Sequence, residues 1–244
     1  MRGERERAQR ASFVVVSWAR PNNIAPILRR ATEQSFVAEA VVWDNSADTP
    51  NWRVSEWLGC GRGDCPVRVM GVGRNLLLMG RFEAVRAAAC DWIATQDDDV
   101  LVENWPELWR EASGRPGQVT ANMFRDEDDA LGGRIRVRTK GGPKVECEDV
   151  WLGYGSVFHR RLVGDVFDRY RARWGEDDVL LRDADRVFCV ALGRSHHAVQ
   201  ARVVKLPGID GPESLHKQPD GAAKTRLARR RAVELAAGRA DRLQ

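Results

Sequence analysis

The sequence lacks the features that would send a chain to a membrane, a secretory route or a fibre. No apolar stretch approaches the roughly 18 consecutive residues that a spanning helix needs. The start, MRGERERAQR, is charged, and the apolar run after it, Phe13 to Val16, is too short for a secretory signal. Cysteine is scarce and odd in number: Cys60, Cys65, Cys90, Cys147 and Cys189. A disulfide framework would be denser and even. Cys60 and Cys65 bracket GRGD, but no second Cys/His pair stands at zinc-finger spacing, so free thiols are expected. No internal repeat recurs, which excludes a solenoid. These absences together predict a cytoplasmic protein.

Lysine is scarce too: 34 of the 39 basic residues are arginine. The net charge is +4 and the pI about 9.0. A polyanionic partner is one reading, because phosphate contacts favour basic surfaces. A genome that favours Arg and Ala codons is the other. The 244 residues suit one large domain, and 43% hydrophobic with 30% charged residues is a globular composition.

Short β-branched runs alternate with helical stretches. FVVVS (13–17), AEAVVW (38–43), 67–70, WIATQ (92–96) and 119–123 read as strands. Helices are expected over 24–34, 75–89, 159–173, 177–188 and 222–237. Arg134 to Val145 reads as a hairpin around Gly141-Gly142-Pro143, and Trp151 to Phe158 as extended chain. This alternation predicts an α/β fold with a mixed, mostly parallel sheet flanked by helices. A basic mobile tail (1–11), one domain (12–206) and a polar, Arg-rich C-terminal segment (207–244) are expected.

The chemistry concentrates in Asp97-Asp98-Asp99-Val100, directly after WIATQ. Three carboxylates at a strand end repel one another unless a cation sits there. Strand ends of open α/β sheets are where ligands bind. Mg²⁺ and Mn²⁺ prefer carboxylate oxygen and bridge to phosphates. A metal clamping a diphosphate is the sharp reading and a solvated acidic turn the bland one. Arg81 offers a cationic fork suited to phosphate. Gly175-Glu176-Asp177-Asp178 opens a helix, where acidic residues cap and can also act on an acceptor hydroxyl. Gly153 and Gly155 in WLGYGSVF let a ligand approach the backbone.

The order of these features resembles the GT-A glycosyltransferases, and within them the exostosin-like, UDP-sugar-dependent family. That family reads a polar-aromatic-x-Arg turn, "VVWNN", "NxxxNRF", "DDDV", "LTGxxFYH" and "CED". Here stand Ser17-Trp18-Ala19-Arg20, Val41-Val42-Trp43-Asp44-Asn45, Asn75 with Gly80-Arg81-Phe82, Asp97-Asp98-Asp99-Val100, Leu152-Gly153 with Val157-Phe158-His159, and Gly175-Glu176-Asp177. Asp44 replaces the first Asn of the tryptophan motif, and Gly80 the second Asn of the NRF motif.

The resemblance covers residues 12–190 and implies a metal-dependent transfer from a nucleotide-diphosphate sugar. Residues 12–100 would form the nucleotide-sugar half and 101–206 the acceptor half. Arg20, Asp44, Asn45 and Asn75 would serve the nucleotide, and Arg81 the diphosphate or sugar. Asp97 and Asp98 would face ribose and sugar, and Asp99 would ligate Mn²⁺ or Mg²⁺, joined by Asp97 and by a histidine, His197 or His216. Asp177 or its neighbour Asp178 would be the carboxylate at the reacting carbon. The acceptor is left open between a glycan, a protein and a hydroxymethylated base in double-stranded DNA, the last as in phage-type DNA-modifying enzymes. The nine tryptophans offer stacking surfaces for such a base. A non-catalytic nucleotide- or nucleic-acid-binding module and a nucleotidyltransferase are the competing classes.

Overall fold

The computed structural model describes residues 10–46, 54–71, 73–123, 138–139, 145–147, 150–194, 196–208 and 220–240. The frame is a nine-stranded sheet in the order β3-β2-β1-β4-β9-β6-β10-β8-β7. Its strands are β1 (Ala11–Ser17), β2 (Val37–Asp44), β3 (Val67–Met70), β4 (Trp92–Gln96), β6 (Thr120–Met123), β7 (Arg138–Thr139), β8 (Val145–Cys147), β9 (Ser156–His159) and β10 (His196–Gln200). β1, β2, β3 and β4 run parallel, as do β6 and β10, while β9 lies antiparallel between β4 and β6. β5 (Val100–Val102) and β11 (Val203–Lys205) form a separate antiparallel pair.

Seven helices complete the described chain: α1 (Pro21–Thr32), α2 (Val54–Leu58), α3 (Met79–Ala87), α4 (Trp105–Ser113), α5 (Val166–Trp174), α6 (Asp178–Ala191) and α7 (Gly221–Ala240). β1 explains the layering. All seven of its residues are buried. Val14 and Val16 join the core under α3, α5, α6 and α7, whereas Phe13 and Val15 join the core under α1, α2 and α4. Successive side chains point to opposite faces, so a strand apolar throughout must be covered on both.

The helix bounds differ from the expected ones for local reasons. α1 starts earlier because Pro21 fits the first helical turn. α3 starts only at Met79, because Leu77 takes a left-handed φ of 49° and Asn75 Oδ1 accepts the Leu77 amide, making a turn of 75–78. The helix expected over 159–173 is split by Gly164 (φ 42°) into a 3₁₀ turn, Arg160–Leu162, and α5. Residues 141–143 of the expected hairpin lie outside the described residues, and β7 and β8 flank them as an antiparallel pair.

One boundary needs correction. Ala11 belongs to β1 and is fully buried, so no tail extends to residue 11. α7 packs on α6, with Ala228, Ala232 and Leu235 inside the same core as β1 and α3. Cys60, Cys65, Cys90 and Cys189 are buried free thiols. No helix among the described residues is long and apolar enough to cross a membrane.

Candidate active site

The chain winds from β1 to β2 to β3 on one side, then crosses to β4 on the other. That reversal opens a crevice at the carboxyl ends of β1 and β4, the place where open α/β sheets bind ligands. The loop after β1 (Trp18 to Arg20), the turn after β2 (Asp44 to Ser46) and the Asp97–Asp99 turn after β4 converge there.

Asp98 anchors the convergence. Its Oδ2 accepts the Trp18 amide at 2.9 Å, and its Oδ1 accepts from Arg20 at 2.8 Å. Arg20 also lies 3.6 Å from Asp99 and donates to the Gly208 carbonyl. Asn23 of α1 bonds the carbonyls of Asp98 and Pro207, and the Leu206 amide bonds the Asp99 carbonyl. The 206–208 strap thus packs against the turn. Burial pushes the Asp98 carboxyl up to about 6, against the pull of Trp18 and Arg20. Burial and the neighbouring Asp97 push Asp99 up to about 7, with Arg20 opposing. The turn therefore stores unfavourable negative charge.

Asp97 is held from below and behind. Its amide donates to the Gly153 carbonyl at 2.9 Å, and its Oδ1 accepts from Arg81. A Cβ on Gly153 would fall 2.1 Å from Asp97 Oδ2, so only glycine admits this approach. Arg81 corrects an expectation. Its side chain is 0% exposed, and it bonds Asp97, Asp185, Thr95 and the Gln96 carbonyl. Burial disfavours its charge, but Asp185 and Asp97 raise its pKa. A guanidinium so committed orients Asp97 and does not face a diphosphate.

The β2 arm is equally ordered. Asn45 is buried: its Oδ1 accepts from the Trp43 indole and the Leu76 amide, and its Nδ2 donates to the Leu77 carbonyl. It shapes the 75–77 turn instead of lining a pocket. Asp44 is half-buried and accepts from the Ser46 amide, while half-buried Asn75 faces its own turn. Gly80 gains a reason: a Cβ there would lie 2.3 Å from the Trp43 ring. The asparagine of the resembled motif does not fit against this indole.

Asp177 caps α6, its Oδ1 accepting the Leu180 amide and the Tyr170 hydroxyl, while Arg231 of α7 donates to Oδ2 at 2.6 Å. Burial raises its pKa, but Arg231 and the Leu180 amide outweigh that and hold it below the usual carboxylate range. Asp178 is 81% exposed beside Lys224. Glu176 pairs with Arg74, which brings the start of α6 to the Asn75 turn.

His197 is a correction. It is the second residue of β10, in register with Thr120 at the amino end of β6, and lies 3.3 Å from Glu111. β10 stands three strands from β4, about 14 Å away. Through β6 and β9 its register is that of Ala94, the middle of β4, so His197 lies to the side of the Asp97–Asp99 turn and away from it. His216 lies outside the described residues. Among the described residues no three His, Cys, Asp or Glu side chains are arranged to hold a metal by themselves. Among the described residues, Asp97 Oδ2 and Asp99 would be the carboxylates for a hard cation, which would take its other oxygens from a ligand or water.

Two functional candidates escaped the sequence reading. Asp185 is half-buried, and desolvation pushes it up to about 7 while Arg81 pulls it down. It stands with Leu181, Phe188 and Leu192 at i, i+4, i+7 and i+11 spacing, and a carboxylate in an apolar register was the readable signal. Arg231 had no such signal among so many arginines.

No protein-family model and no curated protein matches the chain. Solved structures do. S. aureus TarS superposes with a TM-score of 0.54 at 14% identity, over 90% of this chain and 39% of that one. S. aureus TarS 1–349 in complex with UDP gives 0.53 at 13% identity, over 93% and 70%. GalNAc-T7 with UDP, GalNAc and Mn²⁺ gives 0.53 at 17% identity, over 82% and 45%. The fold is GT-A. The chain spans less than half the length of TarS and of GalNAc-T7. The α/β architecture inferred from the strand and helix alternation agrees with this GT-A likeness.

Proposed function

We propose that this chain is a glycosyltransferase that moves a sugar from a nucleotide-diphosphate donor, a UDP-sugar, to an acceptor hydroxyl. The observation that carries the reading is the partly buried, charge-strained Asp97–Asp99 turn in the switch-point crevice of a GT-A fold. TarS and GalNAc-T7 structures that hold UDP support the donor class, and the Mn²⁺ of the latter supports a metal.

In this reading Asp99 and Asp97 hold Mn²⁺ or Mg²⁺. When bound, the cation supplies Lewis-acid stabilisation of charge on the nucleoside-diphosphate leaving group. The protein's part is positioning. Arg81 fixes the Asp97 rotamer, and Gly153 keeps its second oxygen clear. Arg20 ties Asp98 and Asp99 to the 206–208 strap, which sets the turn before ligand arrives. Asp177, ionised and held by three donors, is a weak base. It suits electrostatic stabilisation of positive charge on the sugar better than removal of the acceptor proton. Asp178, exposed beside it, is the general-base assignment if the reaction inverts configuration.

For the acceptor we assign a hydroxymethylated base in double-stranded DNA, on the strength of the basic pI and the arginine-rich C-terminal helix. UDP release with Mn²⁺ and a panel of UDP-sugars tests the function. Release that is lost in Asp99→Ala is expected. Pyrophosphate release would identify a nucleotidyltransferase instead, and donor binding without any turnover a binding module.

A further inference from the structure

Helix α7 presents two different faces. Inward, Thr225, Ala228, Ala232 and Leu235 are buried against α6. Arg231 lies beside this stripe, over the rings of Tyr170 and Trp174 at 5.6 and 5.4 Å, and donates to Asp177. These contacts fix the helix rotation. Outward stand Arg226, Arg230 and Val233.

Elsewhere, exposed arginines commonly face carboxylates: Arg29 faces Glu56, Arg62 faces Glu33, Arg110 faces Glu111, Arg173 faces Glu234 and Arg202 faces Glu107. Arg226 and Arg230 face none among the described residues. Residues 221–240 contain six basic side chains and one acidic, a charge of +5 against +4 for the whole chain. Lys224 and Arg231 of the same helix face Asp178 and Asp177, which leaves Arg226 and Arg230 as exposed arginines where an anion is favoured.

We propose that the outward face of α7, Arg226 with Arg230 one turn on, is a phosphate-docking surface for a nucleic-acid duplex. Arg230 adjoins Arg231 in sequence, so this face belongs to the helix that also holds Asp177. The grip of Arg231 on Asp177 thereby registers a duplex against the site. A lipid surface fits less well, because Val233 is the one large apolar side chain exposed on this face among the described residues. The purpose of the surface rests on the DNA-acceptor reading, but its test does not.

The test is fluorescence anisotropy of a labelled DNA duplex titrated with the full chain at several salt concentrations. Each phosphate contact contributes about 0.9 to the slope of log affinity against log salt. Arg226→Ala/Arg230→Ala should lower that slope by about 1.8, while Arg110→Ala, as an exposed-arginine control, leaves it unchanged. Donor hydrolysis without DNA should be equal in all three proteins. No duplex binding by the wild type, an unchanged slope in the double variant, or binding to phosphatidylserine vesicles in place of DNA would each overturn the proposal. UDP release that persists without DNA binding overturns the docking surface alone. DNA binding without UDP release from any donor overturns the transferase reading and leaves the surface standing.

Discussion

Replacing Arg81 with methionine tests the internal logic of the site most severely. The side chain is fully buried and bonds two carboxylates, a hydroxyl and a carbonyl. Methionine keeps much of the volume and removes all four bonds. Breaking a buried ion pair by deleting one partner costs about 3–5 kcal/mol. The sign of the pH dependence follows from Asp185, which burial already holds at about 7 with Arg81 pulling it down. Without the guanidinium its folded pKa rises further above the unfolded value of about 3.9. A carboxyl raised on folding contributes stability below its unfolded pKa and loses it as pH rises through the folded one. The deficit of the variant should therefore widen as pH climbs above about 7. Urea unfolding followed by circular dichroism, at pH values on either side of 7, reads this directly, with the m-value as the check on two-state behaviour. Adding Asp185→Asn should return part of the loss, because the orphaned charge goes with it. A loss below about 1 kcal/mol, or a deficit that narrows with rising pH, would refute the argument.

Gly80→Asn should cost about 1–3 kcal/mol in the same unfolding assay, because its Cβ overlaps the Trp43 ring; a neutral result would mean that the indole moves freely. Asp177→Asn should lower stability by about 1 kcal/mol at pH 7 through the weakened cap and the lost Arg231 pair. Since the folded Asp177 pKa is depressed, that difference should close as pH falls through and below the unfolded value, and a pH-independent gap would contradict it. Mn²⁺ should raise the Tm of the wild type and not of Asp99→Ala, and chelation should reverse the rise; an equal rise in both proteins would place the metal elsewhere.

The sequence made the sheet legible where strands are buried on both faces. FVVVS and AEAVVW could hardly be anything else, and they appear as β1 and β2 with small changes of boundary. The carboxylate turn was legible because like charges after a buried strand need a reason. What stayed hidden depends on contacts distant in sequence. Whether Arg81 points at solvent or at Asp185, 104 residues away, is decided by packing alone. The same holds for Arg231 on Asp177, 54 residues apart, which ties the C-terminal helix to a candidate site residue. His197 misled because histidine chemistry is generic, while its place in the sheet depends on the pairing of β10 with β6. Gly80 was visible only as a departure from a motif; the Trp43 ring supplies the reason.

The central claim is donor turnover at the Asp97–Asp99 turn. The most direct measurement is UDP release by the purified protein with Mn²⁺ and a panel of UDP-sugars, with and without hydroxymethylated duplex DNA, beside Asp99→Ala. The account predicts release that rises with the DNA and is abolished in the variant. Release indifferent to DNA would contradict the acceptor assignment, and release undiminished in Asp99→Ala would contradict the site itself.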